Sequence, residues 1–91
     1  MSVYLVAYEL DEDNLDNQDY DDLFDAIEEY DGCCQVFDNV WFVYSDASAE
    51  EIHEDLVQHL YDGDYILIME AGEDYHGWLS DDVVDWLNEN L

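Results

Sequence analysis

The sequence predicts an α+β fold: an antiparallel four-stranded sheet with two helices on one face, the ferredoxin-like βαββαβ sandwich, and an extra C-terminal helix. Three observations lead there. Segments of two-residue apolar period alternate with segments of helical period, in the order strand, helix, strand, strand, helix, strand, helix. The second and third strands are separated only by Asp38-Asn39, so they form a hairpin and split two βαβ units. Hydrophobic residues make up 49% of the chain and aromatics 15%, enough for one compact domain over residues 1–91.

Residues 2–10, SVYLVAYEL, are the first strand. Val3, Leu5 and Ala7 point one way and Tyr4, Val6 and Tyr8 the other; both faces are apolar, which places the strand inside the sheet. Residues 11–18, DEDNLDNQ, read as an acidic loop of turn formers. Asp19 caps a helix running to about Tyr30, with Tyr20, Leu23, Phe24 and Ile27 on one stripe, and Asp31-Gly32 ends it. Cys33 to Phe37 and Val40 to Tyr44 are the hairpin strands. Ser48 and Glu51 have capping-box spacing at the head of a helix whose stripe is Ile52, Leu56 and Leu60, with Val57 beside it. Asp62-Gly63-Asp64 stops that helix, and Tyr65 to Glu70 is the fourth strand. Residues 71–79 form a loop in which Tyr75 and Trp78 are candidate partner-facing anchors. Ser80 caps a last short helix, with Val83, Val84, Trp86 and Leu87 on its apolar side.

The charge is one-sided. Among 91 residues there are 27 Asp plus Glu, three His and no Lys or Arg, for a formal charge of −27. Direct nucleic-acid binding through phosphate contacts needs basic groups and is excluded, as is adhesion to anionic membranes. The start, MSVYLVAYELDED, lacks the basic region of a signal peptide, and no apolar stretch approaches a membrane span. Adjacent Cys33 and Cys34 make neither a zinc site nor a disulfide framework. The expected location is the cytoplasm, and no cofactor is implied.

Several strings resemble the small ferredoxin-like proteins of the CRISPR-associated endoribonuclease type, which include the small subunit of the CRISPR integration complex and antitoxin ribonucleases. The strings are Tyr4-Leu5-Val6-Ala7-Tyr8-Glu9-Leu10, Tyr20-x-x-Leu23-x-x-x-Ile27, Val40-Trp41-x-Val43, Ser48-Ala49-x-x-Ile52-x-x-x-Leu56 and Trp86-Leu87. The resemblance covers nearly the whole chain and implies the same sandwich. It implies a metal-binding carboxylate at the end of the first strand, where Glu9 stands in place of Asp. Dimerisation through sheet edges is a further implication, which makes a homodimer possible.

The acids fall in rows. Asp21, Asp22, Asp25, Glu28 and Glu29 line the first helix, extended by Asp11, Glu12, Asp13, Asp16 and Asp19; Glu50, Glu51, Glu54 and Asp55 line the second. If both helices lie on one sheet face, two lines of negative charge run side by side like a phosphate backbone. The expectation is a DNA mimic that blocks the basic DNA-binding surface of a protein. That partner would be a host defence nuclease of restriction or CRISPR type, and the mimic a phage or mobile-element inhibitor. The alternative is a halophilic cytoplasmic member of the endoribonuclease-like family, kept soluble by its acids and cleaving nucleic acid through a metal at Glu9. Asp11 to Asp22 also has oxygen ligands at calcium-loop intervals, but Asp16 occupies the glycine position and Asp22 the glutamate position.

Overall fold

The computed structural model describes residues 1–91. β1 (Ser2–Glu9) is built from β-branched and aromatic residues that pack on a pleated surface, and it takes a central place. The sheet order is β2-β3-β1-β4, with β2 at Gly32–Phe37, β3 at Val40–Ser45 and β4 at Tyr65–Ala71. Every neighbouring pair is antiparallel. This is the expected ferredoxin-like α+β arrangement with a C-terminal helix. The β2–β3 hairpin turns at Asp38-Asn39 and carries an irregularity between Gln35 and Phe37.

The alternation along β1 divides the molecule into two layers of packing. Tyr4, Val6 and Tyr8 join Trp41 and Val43 of β3 on the front face, where α2 (Asp21–Glu28) supplies Leu23 and Ile27 and α3 (Ala49–Val57) supplies Ile52 and Leu56. These side chains form the main core. Its polar atoms are paired: Trp41 Nε1 donates to Tyr8 Oη at 3.0 Å, and Tyr8 Oη donates to the Asp38 carbonyl at 3.1 Å. Burial pushes the Tyr8 phenol up from its ordinary pKa. On the back face, α4 (Asp81–Asn90) lays Trp86 flat against Phe42, with ring centroids 6.2 Å apart, and buries Val83 and Leu87.

Several boundaries differ from the sequence reading, and α2 ends at Glu28, short of the expected Tyr30. Residues 11–18 are not a loop: α1 (Glu12–Asn17) forms there, held from a distance by Asn14, whose Nδ2 donates to the Asp62 carbonyl and to Asp64 Oδ1. The helix carrying Ile52 ends at Val57, so Leu60 packs against the core from beyond it. The last helix is ten residues long, and the Ser80 side chain makes no capping bond. No helix is long and apolar enough to cross a membrane.

Candidate functional site

The acidic rows are positioned by what the helices bury. Leu23 and Ile27 turn inward, so Asp21, Asp22, Asp25, Glu28 and Glu29 are left exposed around α2. Asp19 does not cap this helix as expected: the N-cap is Tyr20, with no side-chain capping bond, and Asp19 stands one residue before it, its Oδ1 accepting from the Asp21 amide at 2.8 Å. The α3 capping box is present in both directions, Glu51 N donating to Ser48 Oγ and Ser48 N to Glu51 Oε1, each at 3.1 Å. Glu50, Glu51 and Glu54 are exposed beyond it. Tyr30, just past α2, donates its hydroxyl to Asp55 Oδ2 at 2.7 Å and ties the two helices together. Burial and the adjacent Asp55 carboxylate raise the Tyr30 phenol well above its ordinary pKa.

Asp11, Glu12, Asp13 and Asp16 are exposed on and before α1. Asp64 anchors this region. Its Oδ1 accepts from the Asp11 amide at 2.8 Å and Asn14 Nδ2 at 3.1 Å; its Oδ2 accepts from Tyr20 Oη at 2.6 Å and the Tyr61 amide at 2.9 Å. Burial raises the Asp64 pKa, but these donors outweigh it and hold the carboxyl below its usual value. The turn that presents Asp64 passes through Gly63 at φ 96°, and a Cβ there would meet Asp11 Cβ at 3.3 Å.

All of the 27 carboxylates except Asp55 and Asp64 are exposed, and these two each accept a tyrosine hydroxyl. Every helix has two acids in its first turn, where the macrodipole favours them, and no basic residue in its last. Of the fourteen sequence-predicted contact residues, α2 and α3 bring their two rows to one face of the sheet, with α1 joined to the 62–64 turn. Asp19, Glu51 and Asp55 also hold internal hydrogen bonds.

The sequence reading missed the acids of α4. Asp81, Asp85 and Glu89 repeat at four-residue spacing on the opposite side of the sheet. The same periodicity that found the other rows would have found this one. Glu9 is exposed at the end of β1 and lines a cleft with Asp11, Glu12 and Asp13. No group of three or more His, Cys, Asp or Glu side chains converges to hold a metal ion, and the calcium-loop reading fails because α1 occupies its ligand stretch. Cys33 and Cys34 are half-buried free thiols, both raised in pKa by burial. Tyr75 and Trp78 are exposed, Trp78 at 99%. No family model, curated protein or solved structure matches the chain.

Proposed function

We propose that the protein is a DNA mimic, acting by occupancy rather than catalysis on the basic DNA-binding surface of another protein. The observation that carries this reading is the near-complete exposure of 27 carboxylates with no Lys or Arg side chain among them. The long dimension is 38 Å, the length of duplex that carries about 22 phosphates. The surface of 6082 Å² holds one carboxylate per about 225 Å². The rows on α2 and α3 lie side by side on the front face, with the acids of α1 beside the 62–64 turn. A field of this sign speeds encounter with a basic groove and weakens as salt is added.

The target class that fits is a nuclease of restriction or CRISPR type, met in the cytoplasm, with the mimic carried by a phage or mobile element. The test is affinity capture from a host lysate with washes of rising salt. The reading expects a DNA-binding protein retained at low salt and released in steps. Recovery of no nucleic-acid-binding protein at low salt would count against it. Neutralising Asp21, Asp25 and Glu28 together should weaken capture.

A second reading, a halophilic, metal-dependent nuclease of the endoribonuclease-like type, rests on the exposed Glu9 carboxylate at the end of β1, although the acids beside it do not converge into a metal-holding group. Magnesium-dependent cleavage of RNA or DNA that Glu9→Gln abolishes would favour it over mimicry. So would unfolding in dilute buffer with refolding in molar salt.

A further inference from the structure

The sheet has two outer strands, and one of them, β2, carries an irregularity between Gln35 and Phe37. β4 is an outer strand, and it pairs with β1 from Tyr65 to Ala71 with no bulge. Edge strands are commonly blunted by charge, proline, bulges or a covering element. β4 has no proline and one charged residue, Glu70. Its back-facing side chains are apolar and uncovered: Tyr65 is 72% exposed, Leu67 51% and Met69 54%. The register continues this surface inward to Ala7 and Leu5 of β1. α4 covers the β2–β3 side of the same face and stops short of β4, leaving a groove of about 280 Å³ lined by Leu5, Met69, Leu87 and Leu91.

We propose that the outer edge of β4 and the apolar face beside it capture an extended segment of a basic partner protein, in which apolar residues alternate with Lys or Arg, by adding a fifth strand. Two quantities select this occupant. Tyr65, Leu67 and Met69 together expose on the order of 400 Å², enough to mark an interaction site but about half of what each side of a stable dimer buries. A second copy would bring −27 against −27 with no cation between. A strand with basic residues turns them to the face opposite the apolar patch, where Glu70 stands, while its backbone satisfies β4 and its apolar residues cover the patch. The positive charge of the partner rests on the mimic reading; the strand addition rests on β4 alone.

The experiment titrates the full chain by NMR at 0.3 M NaCl with a peptide of alternating Leu and Lys. The control is the same peptide N-methylated at alternate residues, which keeps the charge but cannot complete a ladder. Alternate β4 amides should gain hydrogen-exchange protection, and the unmodified peptide should bind at least about tenfold more tightly. Leu67→Asp and, separately, Tyr65→Ser should remove that preference in chains whose circular dichroism is unchanged. Equal binding of the two peptides, spread over α2 and α3, would overturn the proposal. So would protection of β4 without peptide in a chain that sediments as a dimer. Neutralising Asp21, Asp25 and Glu28 tests the mimic separately and should leave the β4 response intact.

Discussion

Replacing Asp64 by Asn should uncouple α1 from the rest of the fold. Both carboxylate oxygens accept two bonds, linking the residues just before α1, α1 itself, the head of α2 and the 61–64 turn. An amide keeps one acceptor oxygen and points an NH₂ group at donors. A hydrogen bond to a charged acceptor contributes about 1.5–3 kcal/mol, and bonds sharing one group are not additive, so the expected loss is about 2–4 kcal/mol. Its pH dependence follows from the depressed carboxyl pKa, whose reference value is 3.8. A group with a lowered folded pKa contributes fully above its unfolded value and loses that contribution as pH falls through the folded value. The difference between native and D64N chains should be constant above about pH 5 and shrink below the reference value. Urea unfolding followed by tryptophan fluorescence, at 0.5 M NaCl and a series of pH values, measures it. A difference below about 0.5 kcal/mol, or one unchanged down to pH 2.5, would refute the role assigned to Asp64.

Three further outcomes are expected. Removing the Tyr30 hydroxyl with Tyr30→Phe should cost about 1 kcal/mol in the same urea assay, because it breaks the bond from Tyr30 to Asp55 that ties α2 to α3. Ser48→Ala removes one half of the α3 capping box and should lower stability by about 1 kcal/mol; an unchanged midpoint would show that the box is dispensable. Raising NaCl from 0.05 to 1 M should stabilise the chain. Screening the like-charged neighbours within α1–α4 recovers on the order of 3 kcal/mol, and calorimetry should show the melting temperature rising by roughly 10–20 °C.

The parts of the fold visible in the sequence are those set by local period. Leu23, Ile27, Ile52 and Leu56 mark the buried stripes of α2 and α3, and the acids between them are exposed for that reason alone. The alternation along β1 likewise separates the two faces of a central strand. α1 was not visible because DEDNLDNQ has the composition of a loop, and the group that holds it, Asp64, lies about fifty residues further along. The amphipathic pattern of α4 shows that one side is buried, not that the side meets Phe42 behind the sheet. The run YILIME is apolar on both sides, as a buried strand would be, yet β4 sits at an edge with Leu67 and Met69 exposed. Of the candidate site, the exposed acids were legible residue by residue. The internal bonds of Asp19, Glu51 and Asp55 to other parts of the backbone and side chains were clear only for Glu51 and Asp19, whose partners are close in sequence.

Mimicry is tested most directly by competition. A labelled duplex is bound to the DNA-binding protein recovered by affinity capture, the acidic chain is added, and fluorescence anisotropy is followed at 0.05, 0.15 and 0.5 M NaCl. The account predicts full displacement of the duplex at the lowest salt, an inhibition constant that weakens steeply as salt rises, and no binding of the chain to the duplex itself. A duplex that stays bound at every salt concentration while the acidic chain occupies the same protein elsewhere would contradict it.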